Sequence, residues 1–440
     1  MNRTRISTLD AFGLRDQRNR IYPALSASDG STLDLDFTTM GGVLDSRFTF
    51  SRSSTVATYV NSNGYIATAT TNEPRFDYNP TTLAPSGLLI EGSAINLQRY
   101  SATFETTGSY WYQSLGTNAA GTAATAPDNT STPRRLTEPA SGTSTGQLQI
   151  SGASAGLAAS TTYTVSFWAK AGTRSKVLWR CDGGGKDVGF NLDTGVATVV
   201  AGTFTNTKMT AYPNGWYRCE ATWANVNASG FPSIYLATGT GTTYTISYTC
   251  NSSYAELWGF QLETGTGASS YIPTVASQVT RATDVCSISG TNFTSWFNNT
   301  EGTVLFIGNN TIVPAPSNFS ANWALISAAN SSRITQYTRH TTGRIGASCR
   351  DSVNGALTFD SPPATTAILT TAEYKTAFAL KSADFAYSVN GAAIGTGDGV
   401  GVFDAVISVD FARDSRNGHI KVFKFWPTRL TNAQLIAIST

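Results

Sequence analysis

From Leu33 onward the chain breaks into short runs of alternating apolar and polar residues, separated by clusters of Gly, Asn, Asp, Ser and Pro. Alternation with a period of two places apolar side chains on one face of a strand, so the runs predict strands and the clusters predict turns. LDLDFTTM (33–40) opens the pattern, and FTFSRSSTVATYVNSNGYIATA (48–69) predicts strands about an Asn-rich turn at 61–64. EPRFDYNPTTLAPSGLLIEG (73–92), with three prolines, predicts an extended connector that ends a first region (33–95). TTYTVSFWAK (161–170), KVLWRC (176–181), GWYRCEATW (215–223), TYTISYTC (243–250) and AELWGFQLE (255–263) predict a β-sandwich over 96–275. SYIPTVASQVTRATDV (270–285) reads as an extended crossing segment. EGTVLFIG, WALISAA, FAYSVNG, AVISVDFA and HIKVFKFW predict a second sandwich over 286–440. Near the end, Thr431 is placed to cap a short helix carrying Leu435 and Ile436. Residues 1–32 lack alternation and read as an arm that docks on a larger assembly.

Length and composition sharpen this all-β reading. A chain of 440 residues suggests two or three domains. Only 13% of residues are charged, while 18 Tyr, 22 Phe and 9 Trp supply apolar surface, the opposite of a disordered composition. A net charge of +2 excludes a general nucleic-acid binder, which needs a concentrated basic face. The first twenty residues are basic but carry no apolar core of a signal peptide, and no run approaches a membrane span. Synthesis in a cytosol, without membrane insertion, is therefore the expectation. Cys181, Cys219, Cys250, Cys286 and Cys349 are widely spaced and odd in number, which predicts buried thiols rather than a disulfide framework or a metal knuckle.

The segment 48–97, FTFSRSSTVATYVNSNGYIATATTNEPRFDYNPTTLAPSGLLIEGSAINL, resembles one common in bacteriophage tail and virion proteins. YTVSFWAKAGTRS, GWYRCEATW and ELWGFQLETGTGASSYIPT, followed by TRATDV, resemble the jelly-roll carbohydrate-binding modules of such proteins. EGTVLF, YSVNG and GHIKVFKFWPTRLTNAQL are similar to concanavalin A-like or laminin G-like sandwiches. The resemblance implies a tail fibre, spike or capsid-decorating protein, made in the host bacterial cytoplasm and carried on the virion. The implied partners are other virion proteins, through the N-terminal arm, and host-surface glycans. It also implies a homotrimer, for which no heptad repeat is present. Specificity does not follow from a sandwich fold, which hosts many functions.

The chemistry is sparse. Glycoside cleavage needs two carboxylates about one bond, and no acidic run of the ExDxE kind occurs; Asp34 and Asp36 in LDLDF fit a strand edge better. With only His340 and His419, a Ser/His/Asp machine or a multi-histidine metal site is poorly supplied, and each histidine reads as exposed or capping. CDGGGKD (181–187) lacks the phosphate-loop spacing and reads as a turn between strands. No enzyme activity is expected. Sandwich lectins often hold a structural calcium, but no EF-type loop is present and no ligands are assigned.

Sugar binding needs flat aromatic faces beside hydrogen-bonding groups. In YTVSFWAK, alternation puts Tyr163, Val165, Phe167 and Ala169 on the core face and Thr164, Ser166, Trp168 and Lys170 on the other. In GWYRCEATW it puts Tyr217, Cys219, Ala221 and Trp223 inward and Trp216, Arg218, Glu220 and Thr222 outward. Trp168, Trp216, Arg218 and Glu220 therefore form the candidate glycan platform, with Trp111 in the YWY run, expected on a loop, as a second candidate. The alternative is that these tryptophans are packed in a core or an interface.

Overall fold

The computed structural model describes residues 29–440 apart from 105–109, 115, 121–123, 144–146, 151–156, 228–231, 313–318, 328–332, 340–343, 351–356, 361–371, 398–405 and 414–415. The expected N-terminal arm and His340 lie outside the described residues, as does the Cys349 side chain. Among the described residues α-helix is confined to Thr291–Thr294 and Asn432–Ser439, and the rest is antiparallel sheet and turn. No described helix is long and apolar enough to cross a membrane.

The central region is a sandwich of two six-stranded sheets. Thr161–Ala171 lies at the centre of one sheet, hydrogen-bonded on one edge to Trp216–Asn225 and on the other to Tyr254–Thr264. Its alternation is realised: Tyr163, Val165, Phe167 and Ala169 enter one core with Cys219, Ala221 and Trp223. The facing sheet adds Val177, Trp179, Val188, Phe190, Ile234 and Leu236 to that core. CDGGGKD makes the turn between Lys176–Cys181 and Lys186–Asn191, as expected. Trp111 corrects the sequence reading: it begins the strand Trp111–Gln113 rather than lying on a loop, and its ring is 1% exposed against Phe104 and Phe260.

Tyr254–Thr264 changes parity part-way along. Ser166 faces Gln261 but Trp168 faces Trp258, so two residues oppose one and Gly259 lies in the bulge at φ +62°. Ala255 and Leu257 point into the core before the bulge, and Phe260 and Leu262 do so after it. Glycine is needed twice over here, because a Cβ would lie 2.7 Å from Trp168 Cε3 as well as strain the backbone.

The first region is not a separate unit. Leu33–Asp36 and Pro85–Glu91 both pair with Asn417–Trp426, and Arg75–Tyr78 pairs with Pro85–Glu91, within an eight-stranded sheet that also holds Glu301–Gly308 and Tyr374–Lys381. Phe48–Ser51 joins the facing seven-stranded sheet by pairing with Val285–Ser289. One core runs from Leu33 and Leu35 through Phe76, Leu88 and Ile90 to Trp323, Phe378, Phe423 and Phe425. The 286–440 sandwich is thus built from both ends of the described chain, with the 96–275 sandwich inserted between them. The presumed connector 73–92 supplies two of its strands, because the prolines sit outside the hydrogen-bonded stretch or at its first residue, Pro85. Asp34 pairs with Lys424 and Asp36 accepts from Thr38, in keeping with an edge role. The closing helix forms as expected, with a capping box between Thr431 and Gln434 and Leu435 buried.

The two crossings into and out of the insertion pair with each other, Ala94–Asn96 against Val279–Arg281. Beside them lies a buried ion cluster of Arg52, Arg75 and Arg281 with Glu91 and Asp284, each side chain at most 1% exposed. Asp284 takes Arg52 at 3.1 Å and Arg75 at 2.6 Å, while Glu91 takes Arg75 at 2.6 Å and also Arg281. Three guanidinium groups face two carboxylates, and their terminal nitrogens also donate to the carbonyls of Thr58, Thr70, Glu73 and Gly92. Ser270 donates to Glu91 through both its backbone N–H (2.8 Å) and its hydroxyl (2.6 Å). Burial alone would raise the Glu91 carboxyl, but Arg281 and Arg75 outweigh it and hold it at about 2.

Candidate functional site: a cleft between the two sandwiches

Where the outward face of the inserted sandwich meets the eight-stranded sheet, a cleft of about 120 Å³ opens. Trp168, Lys208, Arg218 and Glu220 line it from the inserted sandwich, and Asp77 and His419 from the other. Three of the sequence candidates, Trp168, Arg218 and Glu220, are therefore brought together as alternation implied, while Trp216 lies beside them and Trp111 is in the core of the inserted sandwich.

The tryptophans do not form an open platform. Trp168 and Trp216 are both 0% exposed and pack with Trp258, Tyr271 and Ala126 into a second, smaller core on the outward face of the sheet. Trp168 meets Trp258 edge-on at 5.3 Å and Tyr271 at 5.6 Å. The segment carrying Thr125 and Thr132 closes over them, accepting from Trp216 Nε1 at 2.7 Å and from Trp258 Nε1 at 3.0 Å. A sugar ring cannot stack on faces already covered by protein, which corrects the expectation of exposed aromatic faces. Burial of this much apolar ring surface instead fastens the covering segments to the sheet.

The polar members keep their place on the cleft wall. Arg218 lies over the Trp168 ring at 4.9 Å and donates from Nη2 to Ser166 Oγ (2.9 Å) and Ser269 O (2.7 Å). Glu220, 4% exposed as a residue, faces the half-exposed Lys208 at 3.4 Å. Opposite, Asp77 accepts from Val60 N–H at 2.6 Å and meets His419 Nε2 at 2.8 Å. Asn309 Oδ1 accepts the His419 backbone N–H and lies 3.0 Å from Nδ1, so both ring nitrogens face oxygens. His419, expected to be exposed or capping, is instead 8% exposed and braces Arg75–Tyr78 against Asn417–Trp426.

Asp77, Lys208 and His419 were not site candidates from sequence, because they come from three distant stretches that only the sheet order and the insertion bring together. The ion cluster was missed for the same reason. Its signal was nevertheless present: in a chain with 13% charged residues, Arg52, Arg75, Glu91, Arg281 and Asp284 all fall inside the strings that carry the phage resemblance. Cys181, Cys219, Cys250 and Cys286 are buried, and burial raises the Cys181, Cys219 and Cys286 thiols above the usual thiol range. Among the described residues no three His, Cys, Asp or Glu side chains converge to hold a metal ion.

No protein-family model matches the chain, and no curated protein does so either. Among solved structures it is similar to the CBM40 domain of a Ruminococcus gnavus IT-sialidase bound to α2,3-sialyllactose, at 17% identity and TM-score 0.28 over 32% of this chain and 84% of that one. It is also similar to a heptameric SAP-like pentraxin from Limulus polyphemus, at 16% identity and TM-score 0.27 over 32% of this chain and 70% of that one. Mouse laminin α1 domains LG4-5 give 8% identity and TM-score 0.23 over 72% and 96%. Likenesses at these TM-scores carry no argument about ligand or activity; the all-β sandwich architecture rests on the strand pairing itself.

Proposed function

We propose that this chain is a non-enzymatic virion component of a bacteriophage, a tail fibre, spike or capsid-decorating protein, that contacts host-surface glycans through the cleft between its sandwiches. One observation carries the glycan reading: the cleft gathers Arg218, Lys208, Glu220, Asp77 and His419 beside hydroxyl and backbone groups. Planar and charged side chains converging in a recess suit a polyhydroxyl ring, which presents donors and acceptors together. The R. gnavus CBM40 match, bound to sialyllactose, is in keeping with this reading without carrying it. The virion context is supported by the resemblance of residues 48–97 and of the WGFQLETG and TRATDV strings to phage proteins. In this reading the basic N-terminal arm docks on other virion proteins.

A second reading, a structural virion protein without a sugar ligand, is favoured by one feature. The edge strand Val196–Ala201 carries no charge and exposes Val196 (52%), Val199 (44%) and Val200 (39%), a surface suited to a protein neighbour. The two readings separate on binding of the full chain to host cells and to extracted surface polysaccharide, with release of reducing ends assayed alongside. Saturable binding, weakened several-fold by Lys208→Ala and without cleavage, is expected. Absence of binding at about millimolar saccharide, the weak range for a single sugar site, would leave the structural reading standing. New reducing ends would show an enzyme.

A further inference from the structure

Each carboxylate on the cleft wall has a side-chain partner: Asp77 meets His419 Nε2 at 2.8 Å, Glu220 faces Lys208 at 3.4 Å, and Glu91 is taken up by Arg75 and Arg281. Arg218 is left over. Its contacts are neutral oxygens, Ser166 Oγ and Ser269 O, and the face of Trp168, and among the described residues it has no carboxylate partner. A guanidinium without a carboxylate partner on the wall of a recess attracts an anion.

We infer that the cleft takes a saccharide bearing an acidic substituent, a carboxylate or a sulfate, which sits against the Arg218 guanidinium. This rests on the glycan reading above and deepens it. The neutral part of the sugar would then lie toward Lys208, which is half exposed.

The test is titration calorimetry on the full chain with an oligogalacturonate, its methyl ester and a sulfated oligosaccharide of similar length. At least tenfold tighter binding of either acidic form than of the ester is expected, weakening as salt rises; which acidic form binds tells a carboxylate from a sulfate. Lys208→Ala, at an exposed position, checks that binding is in the cleft and should weaken it several-fold. Arg218→Gln removes the guanidinium charge and is expected to abolish the preference for the acidic ligand over its ester, while Lys208→Ala alone leaves that preference in place. Equal binding of the acid and its ester, with Lys208→Ala still weakening both, would overturn the acidic class while leaving the glycan site in place. No saccharide binding at all would overturn the glycan reading itself.

Discussion

Gly259 sits in the left-handed region at φ +62° with the Trp168 ring against its α-carbon, so it permits both the bulge and the outer aromatic core. An alanine there would strain the backbone and press on a ring held by Trp258, Tyr271 and Tyr212. Gly259→Ala is expected to cost roughly 2–4 kcal/mol in urea unfolding; a loss below about 0.5 kcal/mol would mean that the bulge relaxes freely. The same packing explains why Trp168→Ala is a poor probe of binding. Removing a fully buried indole leaves a cavity costing about 3–5 kcal/mol, so lost binding would report lost structure. From sequence, alternation assigned Trp168, Arg218 and Glu220 to the outward face correctly. It could not say whether that face meets solvent or another part of the chain, because a period of two is the same in both cases.

At the scale of elements, the C-terminal sandwich depends on strands that lie before the insertion. Leu33–Asp36, Phe48–Ser51, Arg75–Tyr78 and Pro85–Glu91 supply hydrogen-bonding edges to both of its sheets, and Leu33, Leu35, Leu88 and Ile90 are at most 1% exposed in its core. A fragment spanning 286–440 lacks all of these and would bare both the core and the edge of Asn417–Trp426. It is expected to be unfolded or aggregated by near-ultraviolet circular dichroism and sedimentation, and to recover on adding residues 33–95 in trans or by fusion. A cooperative unfolding transition in the fragment alone would contradict this assignment. The strands themselves were readable from alternation. Their partners were not, since a hydrogen-bonded edge joining Pro85–Glu91 to Asn417–Trp426 leaves no local mark in either stretch.

Across the whole molecule, the ion cluster at the crossings joins three stretches, 52–91, 270 and 281–284, and so sets how the sandwiches meet. Glu91 is held at about 2 against an ordinary 4.5, with burial opposing and Arg281 and Arg75 prevailing. A carboxylate with a depressed folded value stabilises fully above its unfolded value, and this contribution is lost as pH falls from about 4.5 towards 2. The wild type should therefore lose stability steeply across that window. Glu91→Gln should lose about 3–5 kcal/mol at neutral pH, since it leaves Arg75 and Arg281 buried without a full counter-charge, and should show a flatter acid limb. Parallel acid profiles for the two proteins would remove Glu91 from the linkage. Local patterning by itself determined the all-β class, most strand positions, the inward faces of Thr161–Ala171 and Trp216–Asn225, and the capped closing helix, because each depends on contacts set by nearby residues. Only the tertiary structure decided that the first region belongs to the last sandwich, that the tryptophans are enclosed, and that Arg218 shares a cleft with Asp77 and His419. Those outcomes rest on contacts between residues up to several hundred positions apart, where burial and pairing depend on which surfaces meet.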